Sequence, residues 1–188
     1  MKLRQAISTP LATTALIVTA AVGGSVSAAA ADTGSAPSGA SASAVQPAAS
    51  AQFDNTSDFL NHYAGQTLAN SNGSYPGQCV SAISILLEEV YGVDHGAWGN
   101  AIDYQAGGSG GQQMAANGFS WNTDTNFENG DIVVWGEGAD TSAYGHIGIY
   151  WDGQIWHQNW DSSSGMDQSL HAIDFNNDID AYLGYWRG

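Results

Sequence analysis

The sequence predicts an α+β domain, helices first and an antiparallel sheet after them. Three observations carry this. Apolar residues recur at helical spacing before about residue 90, alternating or continuous apolar runs take over beyond Gly130, and the pair Asp152-Gly153 between two β-rich runs is a strong hairpin signal.

Taken in order, the 188-residue chain opens with Lys2 and Arg4, an apolar run from about Leu11 to Val22, and small residues around Ser27 to Ala31. This is the pattern of a secretory signal peptide, expected over residues 1–31. The run is shorter than the roughly 20 residues that span a bilayer, and no later segment comes close, so no permanent membrane anchor is expected. Residues 32–52 are Ala, Ser, Gly and Pro with almost nothing bulky to bury, and read as a disordered linker. The remainder, 53–188, carries all seven Trp and all eight Tyr and suits one domain, with no repeat and no second module.

Within that domain, Thr56 or Ser57 can cap a helix through Leu60, Tyr63, Ala64 and Leu68, ending near Asn70 in the polar loop NSNGS. A second helix follows Pro76-Gly77, with Val80, Ile83, Leu87 and Val90 on one stripe and Cys79 in its first turn. Strands are expected at DIVVW, YGHIGIYW, QIWHQNW and YLGYW.

Charge narrows the partners. The chain has 18 acidic residues against 3 Lys and Arg, and once a signal peptide leaves, Arg187 is the only fixed cation. Such a domain has no electrostatic footprint for nucleic acid or for anionic membrane.

Cys79 is the chain's only cysteine, so in an exported chain it lacks a disulfide partner. The positive end of a helix favours thiolate, the nucleophilic form. The same position also suits a small buried hydrophobe. Counting outward from a two-residue turn at Asp152-Gly153 pairs Trp151 with Gln154, Gly148 with His157, and His146 with Asn159. Paired side chains lie about 4.5–5.5 Å apart at Cβ, close enough for Asn159 to orient the His146 ring toward a sulfur, or simply to form a polar pair in the sheet.

In order, YPGQC, WGNA at 98–101, GDIVVW at 130–135, YGHIGIY at 144–150 and QNW at 158–160 together resemble the CHAP domain, the cysteine- and histidine-dependent amidohydrolase/peptidase module of bacterial and phage wall lysins. The resemblance runs from about Asn61 to Trp160 and on toward the chain end. It implies a papain-like fold and hydrolysis of peptidoglycan amide bonds, with a secreted binding or structural protein on a weak or inactive scaffold of this type as the alternative; a monomer without cofactor is expected. The resemblance also implies Cys79 as nucleophile, His146 as general base and Asn159 as the residue that orients the base. Gln78, with the backbone N–H of Cys79, is a candidate oxyanion donor, though it also suits a helix start facing water. Trp98, Trp135 and Trp160 are candidates for the substrate groove, with core packing as the alternative for each.

Three departures stand out. The loop before Cys79 is neutral and Ser81 stands where some members carry a carboxylate, so no tight calcium site is expected. His157 stands where members often carry Glu, and no wall-binding module accompanies the domain. An imidazole at 157 should support a Cys79 thiolate–His146 imidazolium pair less well than a carboxylate, so the acidic limb of activity is expected to lie higher than in a His157→Glu variant.

Overall fold

The computed structural model describes residues 52–139, 141–162, 165–175 and 181–188. The expected signal peptide and all of the linker but Gln52 lie outside the described residues. Among the described residues no helix is long and apolar enough to cross a membrane.

Helix α1 runs Thr56–Tyr63 and is capped by Asn55, whose side chain accepts the Asp58 N–H at 3.0 Å. This corrects both expected ends: the cap lies before Thr56, and the helix stops at Tyr63, where Ala64 leaves helical backbone. Helix α2, Cys79–Glu89, starts at the cysteine itself. It buries Ala82, Ile83, Leu86 and Leu87, while Val80 and Val90 are only half-buried, so its inner face is rotated from the expected stripe. A 3-10 helix, Ala101–Tyr104, and helix α3, Ser109–Ala116, follow.

The main sheet has six strands, all paired antiparallel, in the order β1-β8-β2-β3-β4-β7. They are β1 Ser120–Asn122, β2 Ile132–Trp135, β3 His146–Trp151, β4 Gln154–His157, β7 His171–Asp174 and β8 Tyr182–Arg187. Strands β5, Trp160–Ser162, and β6, Gly165–Asp167, form a separate pair.

Strand β2 is buried along its whole length because both faces are covered. Ile132 and Val134 join α2 and Trp186 in one core, and Val133 and Trp135 join Ile155 and Tyr185 in another, with Phe127 and Tyr150 packed on it. Each large apolar side chain so buried contributes roughly 1.5–3 kcal/mol. Helix α2 lies against β3 within the first core, which brings the start of the helix to the start of that strand.

Candidate active site

The β3–β4 turn forms as the sequence predicts. Asp152 and Gly153 both take positive φ, 52° and 80°, as a tight hairpin of this kind requires. The register holds from Trp151–Gln154 to Ile149–Trp156. The count fails further out. Strand β4 ends at His157, and Asn159 takes φ 58°, so QIWHQNW is a strand, a turn and the start of β5 rather than one strand.

That turn redistributes the polar contacts. His146 Nε2 lies 2.9 Å from His157 Nδ1, both rings being almost wholly buried. Asn159 Nδ2 donates to Gln78 Oε1 at 3.0 Å. The imidazole of His157 thus stands where the carboxamide of Asn159 was expected, and Asn159 holds the side chain just before the cysteine. His171, the β7 partner of His157, lies beside it with ring centroids 4.8 Å apart and planes tilted by 48°, and donates Nδ1–H to the Ser169 carbonyl at 2.8 Å.

Two glycines give His146 its place. Gly145 turns into β3 at φ 69°, and a Cβ there would collide with the Trp135 carbonyl. A Cβ on Gly148 would come within 2.6 Å of Ile155 Cγ2 and 3.4 Å of His157 Cβ, so its absence lets β4 carry His157 close to β3.

Gln158, to which no local pattern in the sequence assigns a role, is a main fastener of the site. Wholly buried, its Oε1 accepts Leu68 N–H at 2.6 Å, while Nε2 donates to the carbonyls of Leu68 and Gln78 at 3.3 and 3.0 Å. It ties the β4–β5 turn to the segment leading into α2. The only hint in the sequence was a Gln-Asn pair between two β-rich runs.

Cys79, His146, Gln78 and Asn159 line one cleft of about 520 Å³, together with Trp98 and His95. Helix α2 has no side-chain cap; in its first turn Ser81 N–H donates to the Gln78 carbonyl at 3.0 Å, and the N–H groups of Cys79 and Val80 bond the Cys79 sulfur. Of the three tryptophans, Trp98 is on the cleft wall, with its ring 4.3 Å from that of His95. Trp135 is a correction: it is buried in the second core, 5.9 Å from the His146 ring, because it pairs with His146 across β2 and β3 and both faces of β2 are covered. The Trp160 side chain lies outside what the structure describes.

The electrostatics also depart from expectation. Burial pushes the Cys79 thiol up to about 11, opposed by the N–H groups of Ile147, Val80 and Cys79 itself. Burial first, then His157 and His171, holds the His146 imidazole well below its usual range. Both shifts favour the uncharged forms, thiol and neutral imidazole, over a thiolate–imidazolium pair. Also lining the cleft is His95, lowered by burial to about 4, with its Nε2 2.5 Å from the buried Tyr104 hydroxyl.

A six-stranded antiparallel sheet faced by a helix that opens on cysteine, with a histidine at the start of the adjoining strand, is a papain-like α+β arrangement. Residues 69–163, half of the chain, match the CHAP domain, and the protein belongs to that family. Two solved structures are similar: "The crystal structure of Ly7917", at 18% identity and TM-score 0.47, and "The crystal structure of Ly7917 with the hydrolyzing product of MDP", at 18% and 0.44. In both, 69% of this chain and 59% of that chain are covered, so the chain spans less than two thirds of Ly7917. No curated protein matches it.

Proposed function

We propose that the protein is an exported, cysteine-dependent peptidoglycan hydrolase that cuts an amide bond of the bacterial wall peptide, as amidase or endopeptidase, through a thioester. The observation that carries this reading is the single cleft shared by Cys79 and His146, with His157 bonded to the histidine and Asn159 bonded to Gln78. Family membership supports the same reaction class.

The chemistry follows from the neutral pair. With His146 Nε2–H donating to His157 Nδ1, the Nδ1 atom accepts the thiol proton as Cys79 Sγ attacks the amide carbonyl. The C–N bond then breaks and His146 returns that proton to the leaving amine. Water, deprotonated by the same imidazole, opens the thioester and releases Cys79 as thiol. The oxyanion is met by the Cys79 N–H at the start of α2 and by Gln78 Nε2. Asn159 aids this step by engaging Gln78 Oε1, which turns the amide's N–H₂ end away from that bond. In this scheme His157 orients the base and Asn159 orients the oxyanion donor.

A second reading, a secreted binding protein on an inactive scaffold, draws on one observation, the burial of Cys79, which disfavours the nucleophilic thiolate. One experiment separates the two. Purified walls digested with the protein, with Cys79→Ser and with His146→Ala should release amide-cleavage fragments by mass spectrometry only with the wild-type chain. Equal release by all three removes the cysteine-hydrolase reading, and no release by any favours the scaffold.

A further inference from the structure

The described residues that line the cleft include no Lys, Arg, Asp or Glu. From Gln52 to Gly188 the only Lys or Arg in the sequence is Arg187, and it is committed elsewhere. Its Nε and Nη2 bind Asp131 at 2.9 and 2.7 Å, and Nη1 binds Glu128 at 2.8 Å. The two imidazoles on the cleft wall, His95 and His146, are held neutral by burial. The partial positive charge at the start of α2 lies at the Cys79 sulfur, where the reacting carbonyl has to sit.

Wall stem peptides carry side carboxyls that occur either free or capped as carboxamides. A carboxylate drawn into a cleft without a cation loses its water shell and gains no counter-charge. It does so in a chain of 18 acidic residues against 3 basic ones. A carboxamide, by contrast, offers both donor and acceptor to the neutral side chains present, Asn70, Gln78, Asn100, Ser142 and Asn159. We propose that the cleft selects stem peptides whose side carboxyls are amidated, so that its substrate is an amidated wall peptide rather than the free-acid form. This rests on the hydrolase reading above.

The test uses cross-linked muropeptides in two forms, identical except that the stem side carboxyls are free in one and amidated in the other. Cleavage is followed by chromatography and mass spectrometry. The amidated form should show kcat/KM higher by about ten-fold or more, the penalty for one charged group left without a partner. The preference should survive 1 M salt, where the Debye length is about 3 Å. Ala97→Lys, at an exposed position on the cleft wall, should narrow the ratio several-fold by improving the free-acid form. Equal rates on both forms, or a ratio unmoved by Ala97→Lys, overturns the proposal. Collapse of the ratio at 1 M salt also overturns it, by assigning the selection to the long-range field of the protein. If neither form is cut, the hydrolase reading fails. Titration of the same two muropeptides into Cys79→Ser still decides the selection, which requires tighter binding of the amidated form and is refuted by equal or weaker binding.

Discussion

Replacing His157 with Glu tests whether the resting pair is neutral. The carboxylate would face His146 Nε2 across the present 2.9 Å contact. Two unit charges about 4 Å apart attract by about 4 kcal/mol at an effective dielectric of about 20. Burial at position 157 removes part of this, leaving the roughly 1.5–3 kcal/mol of a hydrogen bond to a charged group. At 1.36 kcal/mol per pH unit, the His146 pKa should rise by about one to two units. In the neutral-pair scheme the reactive form needs unprotonated His146, and burial now keeps it so well into acid. The acidic limb of kcat/KM on a soluble muropeptide should therefore move upward by about one to two units in His157→Glu. It should stay near the wild-type position in His157→Gln, which keeps the burial without the charge. This reverses the direction the sequence suggested, since burial sets the protonation state of both partners. A downward shift in His157→Glu would refute the neutral pair and restore the thiolate–imidazolium account; an unmoved limb would make His157 a bystander.

Other outcomes follow from the same geometry. Asn159→Ala, by freeing the Gln78 amide, should lower kcat by about 10- to 100-fold with little change in KM; a displaced acidic limb in its pH profile would instead make Asn159 the orienter of His146. Gln158→Leu removes three hydrogen bonds and leaves Leu68 N–H unpaired, while the Leu68 and Gln78 carbonyls keep the N–H groups of Gly77 and Ser81, so it should cost about 1–3 kcal/mol in denaturant unfolding; a loss below about 0.5 kcal/mol would show that the turn is held by other contacts. Acid should destabilise the fold through its buried histidines. His95 falls from 6.5 to about 4 on folding and His146 also falls, so the unfolded chain binds more protons in acid. Their contribution is complete above about pH 6.5 and declines as pH falls toward 4, with up to about 3 kcal/mol from His95. Thermal melts flat between pH 7 and 4 would contradict this.

The strongest local signals in the sequence were the reliable ones. Asp152-Gly153 fixed the turn type and with it the nearby register, and Pro76-Gly77 ahead of an apolar run located α2. Cys79 and His146 followed from these two elements. The rest depended on contacts between distant segments. Nothing near Asn159 announces a left-handed backbone, and the pull of Gln158 on Leu68 and Gln78, about 80–90 positions away, has no local trace. Helix α3, Ser109–Ala116, was overlooked because it holds two glycines and buries only Met114 among its larger side chains. That helix is held by the ring of Tyr104, which sits so close to Gly110 that a Cβ there would lie 2.9 Å from it. Trp135 looked like a groove residue because its motif adjoins the site, yet the covered second face of β2 claims it.

Strand β8, the last of the described elements, lies inside the sheet between β1 and β2. A chain emerging from the ribosome can form the α2–β3 contact and the β3–β4 hairpin early, but β2 lacks a neighbour on one side and β1 lacks any partner until Tyr182–Arg187 arrives. Completion of the sheet is therefore postponed until synthesis has passed Arg187, whose guanidinium then locks onto Asp131. Until that strand is made, the nascent domain is held short of its folded form.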